Sequence, residues 1–251
     1  LWISENSGYK HIWIAKHSGS NFWPITKGEW EVSAINYIDE DAQKIYFTAN
    51  KESVFENRFY SIRVDGTELN LLTPEEGSHY ISISGSKKYF TDTFSSLTVP
   101  RKILYRDLES GKIIKVLGET DLEQYEEYEW STPKIVHFPT KDNTENLDGI
   151  ITLPPNYSKT KKYPVIMYGY GMPGTQIVWN RWGRTWNQYL AQLGYIVFSM
   201  DSRGMSGRGE AFKNLSYGDM AHYLAKDHLA GLNYLVDEGY ADPERIGAWG
   251  W

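Results

Sequence analysis

The stretch Arg245-Ile-Gly-Ala-Trp-Gly-Trp251 decides how the chain is read. Small and apolar residues follow the turn Ala241-Asp-Pro-Glu-Arg245, which predicts a short buried strand ending at Gly250. Just before that turn, residues 225–238 predict a helix, with Leu229, Leu232, Leu235 and Val236 on one side and Gly239 as its stop. Further back, Tyr195-Ile-Val-Phe-Ser-Met200 and Tyr163-Pro-Val-Ile-Met-Tyr168 are continuous apolar runs, the mark of buried strands. A segment of helical character over 182–193, stopped by Gly194, separates them. Ahead of both, Lys134-Ile-Val-His-Phe138 and Leu147-Asp-Gly-Ile-Ile-Thr-Leu153 read as a hairpin ended by Pro154-Pro155. A hairpin followed by β-α-β-α-β predicts an α/β fold with a mainly parallel sheet. Ligands in such folds sit beyond the carboxyl ends of the strands, here in the loops after Tyr168, after Met200 and past Trp251.

Before residue 130 the chain repeats instead of alternating. Trp2-Ile-Ser-Glu5 aligns with Tyr46-Phe-Thr-Ala49 and with Tyr89-Phe-Thr-Asp92, spaced 44 and 43 residues apart. A strand pair joined by a turn follows each one. The pairs are His11–Ala15 with Asn21–Ile25 across Ser18-Gly19, Arg58–Val64 with Glu68–Leu72 across Asp65-Gly66, and Lys102–Arg106 with Lys112–Val116 across Ser110-Gly111. Asp-Gly and Ser-Gly between alternating runs are hairpin signals. Units of about 40–45 residues with four strands each are the pattern of β-propeller blades. The alternative is a three-unit β-sandwich or meander.

Composition narrows the class. The 251 residues are 23% charged and 41% hydrophobic, values of a soluble globular protein and not of a disordered chain. A net charge of −6, with no Lys/Arg run, offers no face to nucleic acid. The 19 Tyr and 10 Trp fit strand-rich structure, and a carbohydrate-binding face would look similar. There is no cysteine, which excludes disulfides and thiolate metal sites and leaves the compartment open. No apolar run reaches the length of a membrane-spanning helix. Leu1-Trp-Ile-Ser reads as the middle of a strand, so the chain is expected to be a piece of a longer one.

Between Gly118 and Trp130 the run Glu119-Thr-Asp-Leu-Glu-Gln-Tyr-Glu-Glu-Tyr-Glu129 is acidic, with a short helix capped by Thr120 or Asp121. Glu126 and Glu127 could hold an ammonium group or act as acid and base. Such a run is more often a solvated linker face, which is the reading adopted, with a boundary near residue 130.

Three stretches together resemble a known family. Tyr163-Pro-Val-Ile-Met-Tyr-Gly-Tyr-Gly-Met-Pro-Gly-Thr-Gln176, Asp201-Ser-Arg-Gly204 and Arg245-Ile-Gly-Ala-Trp-Gly-Trp251 are similar to the prolyl oligopeptidase family of serine peptidases, most of all its dipeptidyl peptidase IV branch. There the nucleophile motif reads Gly-Trp-Ser-Tyr-Gly-Gly, a G-x-S-x-G turn whose first two positions match Gly250-Trp251. Asn6-Ser-Gly-Tyr-Lys-His-Ile12 and Ile25-Thr-Lys-Gly-Glu-Trp-Glu-Val32 are similar to blade segments of that branch. The resemblance implies a partial β-propeller of about three C-terminal blades plus the acidic linker over 1–130. It implies the N-terminal part of an α/β-hydrolase domain over 131–251, stopping short of the nucleophile.

It further implies a peptide substrate, no cofactor and no metal, with a homodimer as a candidate assembly of the full-length protein. Matching the Tyr-x-x-Pro-x-x-Gln loop puts the oxyanion-hole hydroxyl on Tyr170; a turn tyrosine packed on the sheet is the other reading, and Tyr168 the rival position. Such a donor lowers the barrier by about 3–4 kcal/mol in comparable enzymes. Triad members follow the order Ser, Asp, His, so His11, His17, His79, His137, His222 and His228 precede the nucleophile and are expected to be surface or packing residues. The activity implied is release of N-terminal dipeptides with Pro or Ala second, through an acyl-enzyme. The 251 residues alone are expected to be inactive. Two alternatives stand: a sister activity such as acylaminoacyl peptidase or oligopeptidase, and a non-catalytic binding protein on the same scaffold.

Overall fold

A computed structural model describes residues 1–250 except 17, 20, 126, 127 and 184, and except the side chains of Gln124 and Met220. His17, the Glu126–Glu127 pair and Trp251 therefore lie outside the described residues. The chain divides into two compact units. The first holds Leu1–Thr120 with Trp179–Trp182 and Gly207–Ala211, and the second holds Asp121–Val178, Gly183–Ser206 and Phe212–Trp251.

The first unit is built of antiparallel meanders. β1 (Trp2–Ser4), β2 (His11–Ala15) and β3 (Phe22–Pro24) form a three-stranded sheet. β4 (Val32–Asp39), β5 (Lys44–Ala49), β6 (Arg58–Arg63) and β7 (Asn70–Leu71) form a four-stranded one. So do β8 (Ser78–Ile83), β9 (Tyr89–Ser95), β10 (Lys102–Asp107) and β11 (Ile113–Glu119). The repeated segments become β1, β5 and β9, each pairing with the strand that follows it in sequence.

Alternation along β5 explains how these sheets cohere. Ile45, Phe47 and Ala49 enter one core cluster with Ile12, Val32 and Tyr60, whereas Tyr46 enters another with Phe59, Leu72 and Phe90. A strand with apolar residues on both faces must be covered on both, and β5 and β6 are buried along most of their length. Each fully buried Phe here contributes on the order of 1.5–3 kcal/mol of transfer free energy. Gly111 closes the β10–β11 turn at φ 70°, where a Cβ would sit 2.2 Å from the Leu72 carbonyl oxygen.

A buried polar network crosses the β8–β9–β10 sheet. His79 donates through Nδ1 to Asp92 at 2.9–3.0 Å, and its Nε2 faces the Glu75 carbonyl at 3.0 Å. Arg106, 1% exposed, places Nε 3.0 Å from Asp92 and donates through Nη2 to Glu75 and through Nη1 to the Gly111 carbonyl. The two excursions from later in the sequence are also tied down within this unit. Asn180 donates to Glu56 and accepts from the Leu97 N–H, and the Gly209 N–H donates to Glu31.

In the second unit a 3-10 turn over Glu123–Tyr125 begins at Asp121, whose carboxylate accepts from the Glu123 N–H. Then come β12 (Lys134–Pro139), β13 (Asn146–Thr152), β14 (Tyr163–Tyr168), α1 (Thr185–Gln192), β15 (Ile196–Asp201), α2 (Gly209–Asn214, of which only Phe212–Asn214 belong to this unit), α3 (Met220–Asp237) and β16 (Ala241–Trp249). They make a five-stranded sheet of order β12-β13-β15-β14-β16. β14 runs parallel to both β15 and β16, while β12–β13 and β13–β15 are antiparallel. The sheet is thus mixed, not mainly parallel, because the hairpin joins it along β15.

Three sequence expectations need correction. Within these 251 residues β16 is the last strand of the sheet and is largely exposed, with Trp249 44% exposed, where the sequence predicted a buried strand. The turn at 241–245 lies inside β16 as a bulge, since Ala241 pairs with Tyr163 and Ile246 with Val165. Leu229 is exposed, and the buried stripe of α3 runs instead through Asp227, Gly231 and Leu235. Gly231 brings α3 close to the sheet: a Cβ there would be 2.7 Å from Met200 Sδ and 2.9 Å from the Phe198 ring. The helix starts at Met220, with Asp219 accepting from the His222 N–H, and ends before Gly239 at φ 77°.

Candidate active site

β14 is the strand at which the order of the sheet reverses. The chain leaves it through α1 to β15 on one side, and returns from β15 through α3 to β16 on the other. Connections diverging from neighbouring strands leave a crevice at their carboxyl ends. Here Tyr168 pairs with Trp249, and the Gly169 N–H donates to the Trp249 carbonyl at 2.8 Å, one step beyond the last pair. Gly250 then passes so close to Gly169 that a Cβ would lie 2.0 Å from its carbonyl oxygen. Gly250 and Gly169 thus pack backbone on backbone, whereas Gly171 faces a side chain, its Cβ position 2.2 Å from Leu224 Cδ1.

Tyr170 lies in the arm that leaves this crevice. Its ring is parallel to that of Tyr168 at 6.4 Å, and Tyr168 packs 4.9 Å from Trp249. Its hydroxyl donates to Met172 Sδ at 3.7 Å. A thioether is a weak acceptor, so a developing oxyanion would compete for that proton with ease. The arm turns at Met172–Thr175, where Thr175 donates to the Met172 carbonyl through both N–H and hydroxyl, and Ser206 N–H donates to the Thr175 carbonyl. It ends where Ile177 and Val178 donate their N–H groups to the buried carboxylate of Asp201 at 2.7 and 3.2 Å.

Beyond Asp201 the turn is held from three sides. Arg203 donates to Asp227 on α3 and to Asp142 in the β12–β13 turn, and lies over the Tyr223 ring at 4.6 Å. Burial alone would lower the guanidinium, but the Asp227 and Asp142 carboxylates outweigh it and raise its pKa. The Arg203 hydrogen bond, helped by Thr140 and Thr144, holds Asp142 well below the usual carboxylate range. His228 packs under Gly169, and burial, opposed by Asp227, pulls its imidazole below the ordinary value. On the α1 side, Ile166, Trp186, Leu190, Gly247, Ala248 and Trp249 line an apolar depression of about 580 Å³.

A family model for the dipeptidyl peptidase IV N-terminal region matches residues 1–101, and the prolyl oligopeptidase family model matches residues 182–251. The dipeptidyl peptidase 4 of Trichophyton equinum is 32% identical over 258 residues, covering 99% of this chain. The chain is thus similar to the prolyl oligopeptidase family over both of its ends and to a dipeptidyl peptidase 4 along 99% of its length. Within that family its relatives are of the dipeptidyl peptidase IV kind. The enzyme of Trichophyton tonsurans is also 32% identical over 99% of the chain. The crystal structure of Porphyromonas gingivalis dipeptidyl peptidase 4 superposes with a TM-score of 0.91 at 27% identity over 99% of this chain. The chain spans about a third of each: 33% of both fungal proteins and 35% of the bacterial one.

Against this family frame, the structure puts Tyr170 beside Tyr168 in the arm after β14. His11 and His79 are buried and hydrogen-bonded in the first unit, His228 packs on the crevice floor, and His222 is exposed on α3. Sequence reasoning quoted Asp201 and Arg203 as family motif residues but assigned them no work. Asp227, which grips Arg203, it missed, although a lone Asp on the buried face of a helix calls for a partner. Among the described residues, no cluster of three or more His, Asp or Glu is arranged to hold a metal ion, and no helix is long and apolar enough to cross a membrane.

Proposed function

We propose that this chain carries the oxyanion-stabilising side of a serine peptidase site of the dipeptidyl peptidase IV type. In this reading residues 1–130 are about three C-terminal propeller blades with their linker, and 131–251 begin an α/β-hydrolase domain. The nucleophile falls at the residue that follows Trp251 in the full-length protein. One observation carries the reading: Tyr170 springs from the arm hydrogen-bonded to the end of β16, the strand that leads into the Gly250-Trp251 motif.

The chemistry follows from the family pattern. A serine attacks the carbonyl of the second residue of a peptide, and a histidine oriented by an aspartate moves the proton. Tyr170 then donates to the tetrahedral oxyanion together with a backbone N–H. A hydroxyl whose partner among the described residues is a thioether stabilises the transition state without a strong ground-state bond to break. Dipeptides with Pro or Ala second are the proposed products.

Steady-state hydrolysis of Gly-Pro and Ala-Pro anilides by the full-length protein tests this. The wild type should release dipeptides from free N-termini and not from acetylated ones. Tyr170→Phe should lower kcat by about 10²–10³-fold with little change in KM. Turnover restricted to blocked peptides would move the protein to a sister activity, and none at all would favour a binding protein.

A further inference from the structure

We infer that Asp201 is a positioning residue for the arm that carries Tyr170, an inference that rests on the oxyanion role proposed above. Asp201 is the last residue of β15 and is fully buried. Its backbone is fixed in the sheet, where it pairs with Asp148 of β13. Its Oδ1 accepts from Ile177 N–H at 2.7 Å and Val178 N–H at 3.2 Å, and its Oδ2 lies 3.3 Å from the Val178 nitrogen. Bonds from backbone N–H groups to a carboxylate are charge-assisted and strong. Ile177 and Val178 are buried as well, so these bonds fix the far end of the arm to the sheet and not to a surface loop.

The near end is fixed by the Gly169–Trp249 bond. Tyr170 therefore sits on a span held at both ends, with Asp201 among the groups that hold the far one. Between the two anchors, the bonds of Thr175 to the Met172 carbonyl and of Ser206 to the Thr175 carbonyl shape the turn whose Met172 accepts from the Tyr170 hydroxyl. The Asp201 carboxylate points at backbone N–H groups of the arm, so its effect on the reaction passes through the placement of the Tyr170 hydroxyl. Displacement of a donor by about 1 Å lowers a rate by about 10²-fold.

The test is a double-mutant cycle in the full-length protein, read as kcat and KM on Gly-Pro and Ala-Pro anilides. Asp201→Ala should lower kcat by about 10²-fold while KM stays within about threefold. Asp201→Asn, which keeps one accepting oxygen, should recover part of the loss. In the Tyr170→Phe background Asp201→Ala should change kcat by less than about twofold, because the group it positions is gone. Melting curves establish that each variant is folded at the assay temperature, and Asp201→Asn carries the cycle if the alanine variant is not. Equal losses in both backgrounds, or a loss confined to KM, would overturn the inference and leave the oxyanion role intact. A silent Tyr170→Phe, or a wild type without turnover, would instead remove the reading beneath it.

Discussion

Removing Asp92 tests the most heavily buried charge network of the first unit. Asp92 is fully buried, contacts His79 through both carboxylate oxygens and lies 3.0 Å from Arg106 Nε, itself on a side chain 1% exposed. Taking one partner out of a buried ionic group costs about 3–5 kcal/mol, because the charge left behind is neither hydrated nor paired. The lower end applies here: Arg106 keeps Glu75 and the Gly111 carbonyl, and His79 keeps the Glu75 carbonyl. Asp92→Ala should therefore destabilise the first unit by about 3 kcal/mol, a fall in Tm of roughly 6–12 °C. Asp92→Asn, which preserves shape and one acceptor, should fall between this and wild type. The control is Glu119→Ala, which removes the surface partner of Lys102 at 3.0 Å and should cost less than about 1 kcal/mol. Calorimetric melting of the three variants reads all of this. Should Asp92→Ala melt within a degree or two of Glu119→Ala, the network would be shown to add nothing beyond a surface ion pair.

Two further predictions concern the same unit. His11 faces Thr26 Oγ1 and the Gly28 carbonyl, and burial holds its pKa below the usual imidazole range despite opposing contributions from Gly28 and Glu31. The unfolded chain then binds more protons than the folded one as pH drops below about 6.5. Stability from this group is complete above that pH and is lost on acidification toward the folded-state pKa, so Tm should fall between pH 7.5 and 5.5 with a slope that His11→Gln reduces; an unchanged slope would refute the assignment. Gly111→Ala meets both a positive φ and a Leu72 carbonyl 2.2 Å from the new Cβ. It should cost at least about 1–3 kcal/mol by urea denaturation, and a neutral result would mean that the β10–β11 turn relaxes freely.

What the sequence revealed depended on whether a physical constraint leaves a local trace. The spacing of β1, β5 and β9 was legible because each strand alternates and each hairpin turn carries a glycine. The strands β14 and β15 were legible as continuous apolar runs, the pattern of strands covered on both faces. The start of α3 was not, because Met220-Ala-His-Tyr-Leu224 carries no apolar stripe and its only signal is the capping Asp219. α2 escaped notice because it is only six residues long and opens on a glycine. Burial was misjudged at Leu229, since hydrophobicity reports what a residue prefers and not which neighbour reaches it.

The candidate site divides along the same line. The place of Tyr170 just past a buried strand could be read from the order of residues, and the glycines around it mark a close backbone approach. What holds the tyrosine there could not, because Asp201 meets Ile177 and Val178 across a sequence separation with no periodicity, through side chain to backbone. The same is true of Arg203 with Asp227 and Asp142. A motif such as Asp201-Ser-Arg-Gly204 therefore says that residues are constrained together, and only the coordinates say by what. In this chain the aspartate grips the arm after β14, the arginine grips α3 and the β12–β13 turn, and Gly204, with φ 95°, leaves room for Ser216 where a Cβ would come within 2.0 Å of its Oγ. Three of the four residues at the end of one strand thereby fix the arm that carries Tyr170, α3 and the β12–β13 turn.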